Sequence, residues 1–518
     1  MQTLSRWTTR WLLIGLLAAP LSASAATFDD PRLPNVRNAL QSAELGRLDP
    51  GSMRALANHP LASWIEYAQL KHDLAYASPE QVRAYLNRYL GQPAAQLLRD
   101  AWLQQLDRRQ DWPSFRSFYA GSDKPALQCA DLAARLATGA VDAAWDSDAI
   151  ALWSSTGASL PGDCDAPFAT LSNRGKLTSD VRWKRIELAA DAGSGAVMRA
   201  SARGLPASDF AQAMSYAAFI DAPSMSASAW PKTDRSRRIA ADGLERLAHR
   251  SPSGAEQMLS SIGPALQLNA SQRGQVLYEV ALRTVASYLP GSAARLAAVP
   301  QASYDVRLHE WQVREAMSRG DDATALRAIA AMDRVQRNDP RWQYFAARMR
   351  ERAGDKAGAK VLYAQAARTA TFHGFLAADR LNSPYAICAL ELQPSRADSA
   401  RIAANPALVR ALDLFRIDRT GWALIEWKQA ITGMSDNERQ LAVSLAHEAG
   451  WYDRALFTLG KRADGTLAPD ELRLYSLRFP LNHARNVQDE AQRNGIDRAW
   501  VAAEIRAESG WMPNARSS

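Results

Sequence analysis

Apolar residues return every three or four positions along most of the chain, and strand-like alternation is nearly absent. That period predicts helix after helix. After Pro340, a stripe forms from Trp342, Phe345 or Ala346, and Met349; after Gly354, a facing stripe forms from Ala359, Leu362 and Ala366. Breaks fall at Asn58-His59-Pro60, Ser78-Pro79, Gly91-Gln92-Pro93 and Asn338-Asp339-Pro340. Proline lacks an N–H and fixes φ, so it closes one helix and opens the next. The expected fold class is therefore all-α.

A repeat underlies the pattern. Gly139 and Ala144, Gly320 and Ala325, Gly354 and Ala359, and Gly450 and Ala455 share one spacing of five. Gly320 to Gly354 is 34 residues, the period of a helix–turn–helix solenoid unit. Gly supplies a left-handed cap, and a small Ala lets the next helix sit close. Such a unit cannot bury its apolar face alone, so stacking into a superhelix is expected. Composition loosens between Leu392 and Pro406, and again at Phe479-Pro480-Leu481-Asn482. The expected organisation is a segment 1–25, a superhelical domain 26–395, a helical linker domain 396–478 and a last piece 479–518.

The N-terminus carries a targeting pattern. Arg6 and Arg10 precede the apolar run Trp11 to Ala19, and Ala23-Ser24-Ala25 offers a small-residue cleavage site. The run is too short to span a bilayer, so it reads as a secretory signal peptide with a mature start at Ala26. No Cys follows it, which argues against a lipoprotein, and no other stretch is apolar enough for a membrane span. The expected location is the periplasm. The formal charge is +8, of which Arg6 and Arg10 carry two. That modest excess suits a carboxylate-bearing polymer, and export argues against nucleic acid.

Cys129 and Cys164 can pair in an oxidising compartment and tie neighbouring helices, for about 3–4 kcal/mol by loop closure. Cys388, in Ala386-Ile387-Cys388-Ala389-Leu390, reads as a buried thiol in an apolar helix. Three Cys and seven His show no ligand spacing, so neither a metal nor any other cofactor is expected. The sixteen Trp, at helical spacing, read mainly as core.

Several strings resemble the soluble lytic transglycosylase family. They are His59 to Tyr67, Ala151-Leu152-Trp153 with Ser159 to Asp165, Glu310 to Arg314, Arg341 to Phe345, and Phe372 to Ala378, where His373 replaces a more usual Tyr. They occur in order and end in Ala507-Glu508-Ser509-Gly510, which resembles the opening of the lysozyme-like catalytic domain. The resemblance implies a ring-like superhelix, a small helical linker domain, and the first helix or two of a lysozyme-like domain. It also implies cleavage of the β-1,4 bond between N-acetylmuramic acid and N-acetylglucosamine in peptidoglycan without water, leaving a 1,6-anhydro end. Glu508 is then the general acid and afterwards the base, and Ser509 a substrate-binding residue.

The local pattern fits that role. Asp497 can cap a helix in which Val501, Ile505 and Glu508 share a face. A half-buried carboxylate at the negative end of a helix holds a proton more readily than a solvated one, as a general acid must. Glu504, one turn earlier, reads as exposed. Lysozyme-like domains need roughly 100–150 residues, and 479–518 supplies far fewer, so the chain reads as truncated just after the Glu-Ser motif and inactive alone. The alternative is a non-catalytic periplasmic scaffold of helical repeats that binds peptidoglycan or partner proteins, cell-wall synthesis or remodelling proteins among them.

Overall fold

The computed structural model describes residues 30–462, 465–512 and 515–516; the segment 1–25 expected as a signal peptide lies outside them. Among the described residues the regular elements are thirty α-helices and four short 3-10 turns, with one isolated bridge between Lys461 and Leu467. No helix among them is long and apolar enough to cross a membrane. The chain forms two compact units. One is Leu70–Glu391; the other joins the stretch up to Gln69 with the stretch from Leu392 onward.

Leu70–Glu391 is a stack of helix pairs. Its buried clusters follow one another in chain order: Cys129 to Leu177, Trp183 to Val280, Ala281 to Leu308, Val313 to Met349, and Ala347 to Ala377. Each cluster draws on neighbours in sequence, as expected for a solenoid. The joints explain the glycine spacing. After Val306–Ser318, Gly320 is left-handed at φ 72; its N–H bonds Met317 O and that of Asp321 bonds Ala316 O. The Asp321 side chain then accepts from Thr324 N and caps Asp322–Ala331. Gly354 and Asp355 repeat the device between Pro340–Arg352 and Lys356–Ala366. Gly closes one helix and the next residue opens another.

Ala325, Ala359 and Ala455 are buried as the repeat expects, but Ala144 is exposed. The helix Ala143–Trp153 turns the neighbouring Trp145 inward instead, and its indole N–H donates to Leu132 O at 2.9 Å. Trp342, Ala346 and Met349 are buried, with Phe345 and Leu362 partly so. Among the described residues ten Trp are buried, Trp64, Trp102 and Trp145 among them, while Trp500 is 66% exposed. Cys129, on Pro125–Ala137, and Cys164, in the turn Gly162–Cys164, lie 4.7 Å apart at Cα with their sulfurs joined. The reading of Cys388 is corrected: it is exposed, and no helix covers 383–395. Pro384 and Pro394 flank that stretch, and a residue before proline is driven from helical to extended backbone.

The other unit centres on a buried ion pair. Arg410, on Pro406–Arg416, grips Glu426, on Thr420–Ile431, through two bonds of 2.9 Å. Trp64, on Ala62–His72, donates its indole N–H to the same carboxylate at 2.8 Å and stacks on Trp422 at 4.7 Å. Glu426 is wholly buried. These bonds, with Arg37 on Arg416 O and Arg419 on Glu44, hold residues 30–69 against 406–431. The early helices, expected with 26–395, thus group with the later residues, and the units part at 391/392 rather than 395/396.

Beside this pair, the buried His59 accepts Leu61 N–H on Nδ1 at 3.0 Å and turns Nε2 to Asp30, 3.2 Å away. Burial lowers the pKa of His59 and pushes that of the nearby Asp413 up to about 6; Asp30 adds to the rise, and Arg416 and Arg32 oppose it.

Candidate functional site

The helix Arg498–Ser509 carries the predicted proton donor. Asp497 caps it as expected, its side chain accepting Ala499 N–H at 2.7 Å. Gly510 ends it at φ 58, with its N–H on Arg506 O. A Cβ on Gly510 would stand 3.2 Å from Asp453 Cβ, so the turn lies directly on the helix Asp453–Thr458. Trp511 follows, buried and also left-handed at φ 67.

Arg506 anchors the same helix. Its Nε donates to Arg478 O at 2.8 Å, and its guanidinium stands 4.4 Å above the Phe479 ring. Burial lowers the pKa of both Arg506 and Arg478, and the Arg506 charge adds to the fall at Arg478. This anchor was not legible in the sequence, because an Arg two residues before a motif looks like any solvated helix charge.

Glu508 is exposed, and so is Glu504. No residue of Arg498–Ser509 is buried, although Val501 and Ile505 are partly covered. The half-buried carboxylate expected from the sequence is therefore corrected: Arg506 and Gly510 make the docked face, and Glu508 points away from it. Among the described residues Glu508 makes no hydrogen bond or ion pair. The Ser509 hydroxyl donates to Ile505 O at 2.8 Å, along its own helix. Among the described residues the geometry thus presents an unpaired carboxylate near the end of an anchored helix.

A second group of titratable side chains was missed. Glu245 and His249, one turn apart on Asp234–Arg250, meet Glu279 on Ala270–Ala286, with ligand-type atoms within 4.8 Å of one another. Arg283 lies 2.9 Å from Glu279 and 3.2 Å from His249 Nε2, and Gln275 donates to Glu245 at 2.6 Å. A guanidinium already supplies the positive charge there, so the group works as an ion-pair network.

Comparison with known proteins follows the same line. Residues 401–462 match the soluble lytic murein transglycosylase L domain. The chain is 25% identical to the soluble lytic murein transglycosylase of Escherichia coli K12, covering all of this chain and 80% of that protein. It is also 25% identical to the enzyme of that name from Salmonella typhimurium, over 90% of this chain and 71% of the other. The solved 70-kDa soluble lytic transglycosylase from E. coli superposes with a TM-score of 0.80 at 24% identity, over 94% of this chain and 78% of that one. An inactive Glu-to-Gln mutant of the lytic transglycosylase Slt from Pseudomonas aeruginosa superposes at 0.69 and 25% identity, over 95% and 79%. The family resemblance and the all-α superhelical fold read from the sequence are borne out.

Proposed function

We propose that this chain, a relative of the soluble lytic murein transglycosylases along its whole length, belongs to an exported enzyme that cleaves peptidoglycan in the periplasm. The bond broken is the β-1,4 linkage from N-acetylmuramic acid to N-acetylglucosamine. Protonated Glu508 gives its proton to the glycosidic oxygen as that bond breaks. The resulting carboxylate takes the proton of the muramoyl 6-hydroxyl as its oxygen closes on C1. The product is a 1,6-anhydro end and no water is consumed. Most glycosidases need a second carboxylate; here the 2-acetamido group of the sugar stabilises the cation, so a single Glu suffices.

The observation that carries this reading is Glu508 itself: a carboxylate unpaired among the described residues, on a capped, anchored helix, in the Glu-Ser-Gly string that the family resemblance singles out. A single proton donor is worth about 10²- to 10⁴-fold in rate. The test is release of anhydro-muropeptides from purified sacculi by the protein expressed from its own gene. E508Q is expected to lose roughly a thousandfold, and release at the parental rate would overturn the assignment.

Ser509 is retained as a candidate sugar contact, since a hydroxyl bonded to Ile505 O still has lone pairs to offer. The Cys129–Cys164 pair suits an oxidising compartment. A second reading, a non-catalytic scaffold that binds peptidoglycan or partner proteins, draws on the share of the chain given to helical repeats. It predicts that E508Q changes nothing.

A further inference from the structure

A cavity of about 560 Å³ opens between the end of Ala270–Ala286 and the helix Val306–Ser318. That volume lies within the usual range for small-ligand sites, roughly 300–1,000 Å³. Trp311, Arg314, Glu315 and Ser318 line it from one helix, at i, i+3, i+4 and i+7, so they form a single stripe. Tyr288, from the connecting turn, and Ser292, which opens the helix Ser292–Ala298, face them.

Tyr288 is the unusual member. It occupies the left-handed cap position after Ala270–Ala286, at φ 54, with its N–H on Val285 O and the next N–H on Thr284 O. Gly holds the equivalent place at residues 139, 320, 354 and 450, and polar Gln110, Gln267 and Asn382 hold it elsewhere. Tyr288 is 86% exposed, so packing does not account for a strained aromatic there. Its ring stands edge-on to Trp311 at 6.4 Å.

The polar groups around these rings are balanced. Glu315 is buried at the base, accepting from Arg319 at 2.7 Å and from Ser292 at 3.3 Å. Arg314 is paired with Glu310 at 2.8 Å and lies 5.3 Å over Trp311. Glu310 also pairs with Arg341 at 2.9 Å, and Arg319 lies 3.6 Å from Asp321 besides Glu315, so three guanidiniums meet three carboxylates and the cavity offers no surplus charge to an anion. It offers donors and acceptors in near-equal measure beside aromatic faces. A pyranose has complementary properties: a C–H face that stacks on a ring, and a rim of neutral hydroxyls that both give and accept.

We propose that this cavity binds a neutral stretch of β-linked N-acetylhexosamine glycan, with Tyr288 and Trp311 as stacking platforms. The pyranose class comes from the cavity's own chemistry; that the sugar is a β-linked N-acetylhexosamine polymer rests on the function proposed above. The experiment is calorimetric titration of tetra-N-acetylchitotetraose into the full chain carrying E508Q, so that no turnover intervenes. The parent is expected to bind in the millimolar range or tighter. Y288G should weaken binding at least fivefold while leaving Tm equal or higher, because Gly adopts φ 54 without strain. W311A should weaken binding as well, although its loss of packing lowers Tm. Unchanged affinity in Y288G, or no binding by the parent up to roughly 10 mM, overturns the proposal. Neither result bears on whether Glu508 cleaves the bond, which the sacculus assay reads separately.

Discussion

Gly374 shows at residue scale how a motif acquires a physical cause. It lies in the first turn of Phe372–Leu381, where its N–H reaches Thr371 Oγ1 at 3.1 Å. A methyl group there would fall on the Thr369 carbonyl and crowd Ala366 O at 3.0 Å. G374A is therefore expected to cost about 1–3 kcal/mol, read as a lower denaturation midpoint with an unchanged slope. The string Phe372-His373-Gly374 was legible as a motif, but the collision that fixes its Gly was not, since it depends on where the preceding helix ends. Glu508 teaches the converse. Its chemistry was legible from neighbouring residues, whereas its exposure was not: helix periodicity put it with Val501 and Ile505, and the anchor chosen by the fold was Arg506.

Among elements, the carboxylate of Glu426 is a buried tie between the early and late helices. It serves Arg410 and Trp64 at once and is closed off from water. Removing one partner of a buried ion pair leaves the other charge stranded, at a cost of about 3–5 kcal/mol. E426Q is expected to show a loss of that order by chemical denaturation, and a change below about 1 kcal/mol would mean that water reaches the pair. Helix existence and the Gly-based joints were readable because capping and period are local. The grouping of residues 30–69 with 406–431 was not, because a contact spanning more than 360 residues leaves no periodic trace. Cys388 failed for a third reason: an apolar run between two prolines has the composition of a helix without its permitted backbone.

For the whole molecule, stability against pH is set by opposed buried groups. Burial lowers the pKa of His59, His309, His373 and His447. Their contribution is complete above the unfolded value near 6.5 and is lost as pH falls through the folded values. Asp413 acts in the opposite sense. With its pKa raised to about 6 from 3.8, the folded state holds a proton that the unfolded state has released, so its contribution is present below about pH 4 and lost as pH rises to 6. D413N removes that counterweight. Its Tm should therefore fall more steeply than the parent's between pH 6.5 and 4.5, and parallel profiles would show that Asp413 titrates normally.

The two-residue joints at Gly320-Asp321 and Gly354-Asp355 also bear on how such a chain can change its length. Each joint spends one residue finishing a helix and one beginning the next, so no slack remains between them. A single inserted or deleted residue within a helix would turn everything beyond it by about 100° and swing the inward stripe toward water. Descendants of this chain are thus expected to grow or shrink by whole helix pairs, and to confine small insertions to the irregular stretch 383–395.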